Sequence, residues 1–373
     1  MKIKTKNRVY ITSTSSVSSA GNNNQILFQN ILTGTTGIKQ DCTYFFHATP
    51  AIGKLDTQAT FFDTLILECQ KVLEQSQLEN YKETLLIIGS SVGGMKTTED
   101  IYIDTQEYAD INPDKHHIQV IANCLNEVFD FYDDISFSTA CTSSANAIGY
   151  AYEVLSKGLY ENVLVVGADS LSQTTVGGFL SLGVLSSNPC KPFDEARDGM
   201  NVSEAIACLL IETVPKEEGC VEVCGVGYSS DAYHMTHPKP KGEGAYKAME
   251  KALKEAKLTP RDIDYINAHG TGTEANDSAE ADAIVSLFPY KPYVGATKSI
   301  TGHTLGAAGA LEAIISSMVI EKQMIPANHA LESATNKEIN LSNEPKDKKI
   351  HYVMSNSFAF GGNNCSLIFG NIK

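Results

Sequence analysis

Apolar strand-like runs alternate with helix-spaced runs along the whole chain, and this alternation limits the fold more than any other feature. Val9–Thr12, Leu85–Ile88, Ile135–Ser138, Val163–Gly167 and Ile206–Ile211 read as strands of a first half. Val221–Val226, Ile263–Asn267, Tyr293–Ala296, Tyr352–Ser355 and Ser366–Phe369 read as strands of a second. Between them, Thr60–Glu74, Ala145–Ser156, Gly244–Ala256, Asp277–Leu287 and Thr304–Glu321 have helical spacing. Such alternation implies an α/β architecture of parallel-type sheets covered by helices. Thr304–Glu321 is apolar nearly all round and rich in Ala and Gly, so it should be a helix buried between sheets. The two halves echo each other weakly: each has a strand, a Gly-rich turn, then a helix with a candidate functional residue near its start. No linker or low-complexity tract splits the 373 residues, so one body of two halves is expected, 1–215 and 216–373, with the seam near Lys216-Glu217-Glu218-Gly219.

Charge and cysteine usage exclude several classes. The formal net charge of −15 argues against nucleic acid as a partner. The 9 cysteines are odd in number, scattered and without CxxC pairs, which points to reduced thiols in the cytoplasm, not to a disulfide framework or a metal site. Met1–Lys6 is basic but lacks an apolar signal core, and no run reaches membrane-spanning length.

The chemistry concentrates in four segments. Cys141 lies in Ser138-Thr139-Ala140-Cys141-Thr142-Ser143-Ser144-Ala145, between an apolar strand-like run and a small-residue helix. A cysteine there points its sulfur at free helix N–H groups, which favour thiolate, so a nucleophile near neutral pH is expected. His269 lies in Asn267-Ala268-His269-Gly270-Thr271-Gly272-Thr273. Lys298 and His303 share Ala296-Thr297-Lys298-Ser299-Ile300-Thr301-Gly302-His303-Thr304. The chain closes with Asn356-Ser357-Phe358-Ala359-Phe360-Gly361-Gly362-Asn363. Glycines let backbone approach a substrate closely, and strand ends are where α/β sheets gather functional residues. A lone histidine is usually structural; two histidines, a lysine and a cysteine, all at strand ends, are poorly explained by packing.

Together these segments resemble the elongating, Cys-His-His type of β-ketoacyl carrier-protein synthase. Arg8-Val9-Tyr10-Ile11-Thr12, Gly89–Gly94, Gly177-Gly178-Phe179, Pro192–Gly199 and Ser229–Thr236 extend the match over nearly the whole chain. The resemblance implies a duplicated, five-layered α-β-α-β-α fold of the thiolase type. It implies a decarboxylative Claisen condensation, in fatty-acid or polyketide/polyene biosynthesis. An acyl group moves to Cys141, malonyl carrier protein loses carbon dioxide, and its carbanion attacks the acyl-cysteine. Substrates ride on the phosphopantetheine of acyl carrier protein, and no cofactor or metal of the enzyme's own is implied. His269 and His303 match the pair that stabilises the enolate. Lys298 matches a lysine that tunes them and holds Glu312. Backbone N–H groups of Cys141 and Phe358 match the oxyanion hole, with Phe358 and Ala359 in the gate of the acyl pocket. Thr236, Thr271 and Thr273 match the pantetheine tunnel, and Val92 and Phe179 the pocket lining. A carrier protein is acidic, so docking on this acidic chain needs a local basic patch, for which Lys239, Lys241 and Lys247 are candidates.

The chain also departs from the pattern. It is short between Gly37 and Thr60 and between Asn123 and Ile135, where family members carry pocket and dimer elements. Gly183 stands where a carrier-docking basic residue is often found, Ser203-Glu204-Ala205 replaces a Gly-x-Gly, and Ala359 and Asn363 interrupt the gate loop. A Cβ at Ala359 is expected to restrict φ and stiffen the gate. These changes suggest a specialised synthase, working as a homodimer or as a heterodimer with a cysteine-less chain-length partner. A non-catalytic partner subunit is disfavoured by the retained Cys141. A thiolase is disfavoured because Cys365, near the end, sits in an apolar strand run.

Overall fold

The computed structural model describes residues 6–44, 48–76, 78, 80–215 and 220–371. Among the described residues, five strands of the main sheet lie in the first half: β1 (Tyr10–Ser18), β2 (Leu85–Gly89), β3 (Asp133–Phe137), β4 (Asn162–Asp169) and β5 (Ala205–Glu212). The second half has β6 (Val221–Ser230), β7 (Tyr265–Asn267), β8 (Tyr293–Gly295), β9 (Asn340–Leu341), β10 (Tyr352–Phe358) and β11 (Asn363–Asn371). Hydrogen bonding orders them β9-β8-β7-β10-β11-β6-β1-β5-β4-β2-β3.

The pairing shows the duplication directly. From β1 outward, β1–β5 and β5–β4 are antiparallel, then β4–β2 and β2–β3 are parallel. From β6 outward, β6–β11 and β11–β10 are antiparallel, then β10–β7 and β7–β8 are parallel. The halves meet where Tyr10 and Ile11 pair with Glu222 and Val221. The expectation of parallel-type sheets therefore holds only for the outer strands. The inner strands are antiparallel; β10 returns into β11 through a tight turn in which Gly361 and Gly362 have φ of +83° and +82°. The seam residues 216–219 lie outside the described residues.

Helices fill the corresponding gaps. Between successive strands of the first half lie α1 (Phe61–Glu74), α2 (Gln119–Phe129) and α3 (Ser143–Ser156); α4 (Glu243–Ala256), α5 (Glu274–Leu287) and α6 (Ala308–Lys322) occupy the same places in the second. The α1 helix packs on β1, β5 and α2, and α4 packs on β6, β11 and α5, forming the two outer layers. Helices α3 and α6 pack on each other and on strands of both halves, forming the middle layer. Ala308 through Ile320 of α6 are all buried, so this helix has no polar face to distinguish. The α3–α6 approach is close: a Cβ on Gly309 would lie 2.5 Å from the backbone nitrogen of Ala145. Five α-helices among the described residues have no counterpart in the sequence reading: Asn24–Thr33, Met95–Thr105, Gln119–Phe129, Gln173–Ser181 and the single turn Lys298–Thr301.

Candidate active site

The duplication places the start of α3, with Cys141, and the start of α6, with His303, at equivalent points facing each other across the middle layer. Ala140 holds φ +52°, in the left-handed region that costs a Cβ-bearing residue about 1–2 kcal/mol. This sharp turn sends Cys141 out of β3 and into α3. The reactive atoms of Cys141, His269 and His303 all lie within 4.8 Å of one another. The two imidazole centroids are 5.2 Å apart, edge to face.

Both histidine tautomers follow from their partners. Leu305 N–H donates to His303 Nδ1 at 3.1 Å. The Lys298 ammonium has only donors and stands 3.4 Å from His269 Nδ1. Each Nδ1 therefore accepts, each proton sits on Nε2, and His303 Nε2 has no partner among the described residues. Burial holds both imidazoles well below the usual histidine range, and the Lys298 charge adds to it. The result is two neutral N–H donors. Lys298 and Glu312 form a buried ion pair behind them, both nearly inaccessible. Cys141, His269 and His303 also have the composition of a soft-metal site, but protons on both Nε2 atoms present donors, not ligand lone pairs.

The thiol does not meet its sequence expectation. Backbone N–H groups of Cys141 itself and of Phe360 reach the sulfur and Lys298 favours the thiolate, yet burial outweighs them and pushes Cys141 up to about 11. Burial thus favours the thiol form of Cys141 over the thiolate. The sequence reading pairs the N–H groups of Cys141 and Phe358 for the oxyanion; at the sulfur itself the second N–H is that of Phe360. Phe358 is buried with its ring 6.1 Å from His269, whereas Phe360 is partly exposed and contacts Phe179 at 6.3 Å. Phe358 and Phe360 both line the pocket at Cys141. Ala359 lies outside the positive-φ set, so its Cβ does not strain the gate as it stands.

Thr236, Thr271 and Thr273 line the same pocket as Cys141, with Phe358 and Ala359. Thr271 and Thr273 share a hydroxyl contact of 2.9 Å. Val92 and Phe179 do not line it; they pack on a separate apolar cluster of Ile52, Leu171, Val176, Val202 and Leu305. Lys239 and Lys247 both pair with Glu243, which blunts the expected basic patch. Cys365 is fully buried in β11, its thiol pushed up by burial, and takes no part in the pocket.

Sequence reasoning missed the groups that hold these residues in place. Glu280 of α5 accepts from His269 N–H and Gly270 N–H at 2.9 Å each, and burial pushes it up to about 7. Asp277, one helical turn earlier, accepts from Thr271 N–H at 3.1 Å and Gly272 N–H at 3.3 Å. Asp169 accepts from Ser91 and Val92 N–H and from Gly306 N–H at 2.6 Å, joining the loops after β2 and before α6; burial pushes it up to about 6. Asn201 C=O accepts from His303 N–H at 2.7 Å, and Ser203 N–H donates to His303 C=O at 2.9 Å. Glu204 accepts from Leu55 and Leu171 N–H. Acids on the apolar side of a helix such as α5 were the available signal.

Known proteins resemble this chain in sequence and fold. The N-terminal domain model of beta-ketoacyl synthases matches residues 43–217 and the C-terminal domain model residues 220–332. The chain is 33% identical to a 3-oxoacyl-[acyl-carrier-protein] synthase 2 of Coxiella burnetii, over 98% of this chain and 99% of that protein. It is 30% identical to a 3-oxoacyl-[acyl-carrier-protein] synthase 2 of Staphylococcus aureus, over 97% and 98%. Among solved structures, a ketosynthase from Xenorhabdus doucetiae, in complex with its chain length factor, superposes with TM-score 0.89 at 29% identity over 98% of both chains. A beta-ketoacyl synthase from Burkholderia phymatum superposes with TM-score 0.87 at 26% identity, over 98% of this chain and 100% of that one. With both domain models matched in order and a nucleophile–donor pair assembled at their junction, the chain belongs to the β-ketoacyl synthase family.

Proposed function

We propose that the protein catalyses a decarboxylative Claisen condensation between an acyl group held on Cys141 and malonyl carrier protein, lengthening the chain by two carbons. The observation that carries this reading is the pair of neutral Nε2–H donors beside the nucleophile. Cys141 sulfur takes the acyl group from a thioester, with the N–H groups of Cys141 and Phe360 placed for the oxyanion. The malonyl thioester then enters by Thr236, Thr271 and Thr273. His269 and His303 donate to its carbonyl oxygen as enolate charge develops, carbon dioxide leaves, and the carbanion attacks the acyl carbonyl. Both imidazoles being neutral, each donates without first losing a proton. Substrates arrive on the phosphopantetheine of acyl carrier protein, and the enzyme brings no cofactor of its own.

The partner is a second copy by default, or a cysteine-less chain-length paralogue. The neighbour solved with a chain length factor favours keeping the second arrangement open. The test is acylation: wild type treated with an acyl-carrier thioester should gain one acyl group, located by peptide mass on Cys141, and then release carbon dioxide from malonyl carrier protein. An acyl group found on another residue refutes the assignment. Plain iodoacetamide is a poor probe here, because the exposed Cys42 should react ahead of the buried thiol.

A further inference from the structure

Two histidines on the loop after β6 take no part in the proposed chemistry. His234 lies within Ser229–Thr236, and His237 directly follows that motif. Both line the cleft at Cys141, together with Thr236. The free volume of that cleft is about 40 Å³, room for a few waters. Both imidazoles are exposed, which gives an ion an entry path. Two backbone bonds tie the loop to the turn after β10. Gly361 N–H donates to Met235 C=O at 2.8 Å, and Asp231 N–H donates to Gly362 C=O at 2.9 Å.

Three atoms of this loop converge. His234 Nδ1 and His237 Nδ1 are 3.1 Å apart. Thr236 Oγ1 is 3.0 Å from His237 Nδ1 and 3.4 Å from His234 Nδ1. The ring centroids are 4.8 Å apart, so the two nitrogens are the near edges of the rings. Imidazole lone pairs this close repel unless a proton or a metal ion lies between them. Ligands at 2.0–2.1 Å from a tetrahedral zinc stand about 3.3–3.4 Å apart, and the three spacings here fall near that value. A competing contact is weak: Thr236 N–H donates to His234 Nδ1 at 3.2 Å, the long end of the range. Charge selects a cation over an anion. Asp231 lines the same cleft, but Asn364 Nδ2 and Lys239 N–H already occupy its oxygens, so it adds field without ligating. Imidazole nitrogens with one neutral oxygen suit zinc; a hard cation such as magnesium takes carboxylates.

We propose that His234, Thr236 and His237 form an inhibitory Zn²⁺ site in the cleft at Cys141, held by the two Nδ1 atoms and the Thr236 hydroxyl, with water as the fourth ligand. The ion is a regulator and not a cofactor. It sits where Thr236 meets the incoming pantetheine arm, in a cleft with little room to spare, and so bars acyl donors. That consequence rests on the ketosynthase reading; the site itself does not.

The test is equilibrium dialysis of the full chain against Zn²⁺ alone, after chelator treatment, with Cys42→Ser throughout to remove the exposed thiol. One Zn²⁺ per chain is expected. His234→Ala and His237→Ala should each weaken it at least about tenfold. His303→Ala should leave it within about twofold, because it removes a member of the Cys141 group and no loop ligand. No bound Zn²⁺, an affinity that neither loop variant alters, or one that falls only with His303→Ala overturns the site. Acylation of Cys141 by an acyl-pantetheine thioester is then timed by intact mass, with and without saturating Zn²⁺. At least about tenfold slowing is expected, relieved in His237→Ala at the same Zn²⁺ concentration. No slowing, or slowing that persists in His237→Ala, overturns the inhibition. Protein that no donor acylates without Zn²⁺ removes the ketosynthase reading, and the dialysis still decides the site.

Discussion

His303 is fixed by four neighbours before any substrate arrives: Asn201 and Ser203 hold its backbone, Leu305 N–H holds Nδ1, and Lys298 discourages its protonation. Its Nε2–H is therefore pre-aimed, and such donors act where charge develops. We expect His303→Ala to lose about 10²–10³-fold in malonyl decarboxylation, ~2.7–4 kcal/mol, while acyl loading of Cys141 survives. Single-turnover assays separate the two steps; equal loss in both would reassign the residue. The pH dependence follows the same logic. The neutral imidazole is the active form, and it persists at every pH above its depressed pKa. The decarboxylation rate should stay level as pH falls through the ordinary histidine value of about 6.5 and drop only well below it. An acid limb at or above that value contradicts the burial argument. Histidine roles of this kind were legible from the Gly-flanked motifs, but tautomers were not, because they depend on Leu305 and Lys298 arriving from the tertiary fold.

At the scale of elements, α3 and α6 decide how far apart Cys141 and His303 sit. Their contact depends on small residues, with Gly309 against the Ala145 backbone. Alanine at a helical position normally gains up to about 1 kcal/mol over glycine. Here the added methyl meets backbone at 2.5 Å, which has nowhere to go. Overpacking of about 1–3 kcal/mol should win. Gly309→Ala is expected to lower the urea midpoint and to reduce condensation, since Ala145 is one turn from Cys141; a variant of raised stability and full activity would show that the middle layer can spread. The helices of 14 and 15 residues were legible in sequence, whereas the 11-residue Gln119–Phe129 was not. Gln173–Ser181 and Lys298–Thr301 were not, because short helices carry too few turns to show a period, and tertiary contacts rather than propensity stabilise them.

For the whole molecule, β3 is the exposed edge. Its residues run from exposed to half-buried, Tyr132 beside it is 80% exposed, and Thr139 and Cys141 follow at its end. An unprotected edge strand next to a catalytic turn is a surface that pairs. The chain trims the approach to it: α2 ends at Phe129, and Asp130 turns with φ +54° directly towards β3. Purified protein is expected to scatter light as about twice its 40.3 kDa chain mass. An active species at the monomer mass would refute pairing. A dimer inert until a cysteine-less paralogue is added would assign the second subunit to that paralogue. The net charge of −15 resists self-association at low salt, so dimer formation should strengthen as salt screens it.

Alternation of strand and helix, the buried character of α6 and the choice of Cys141, His269, Lys298 and His303 as candidate site residues were legible in the sequence alone, because hydrophobic period and Gly-flanked motifs are local properties. The tertiary structure alone decided the rest. It made the inner strands antiparallel, brought the Phe360 N–H to the Cys141 sulfur, and raised Cys141 where the helix dipole had suggested a thiolate. It also recruited Glu280, Asp277 and Asp169. Each of these depends on desolvation or on a partner far away in the chain, and neither burial nor a distant neighbour is written in a local pattern.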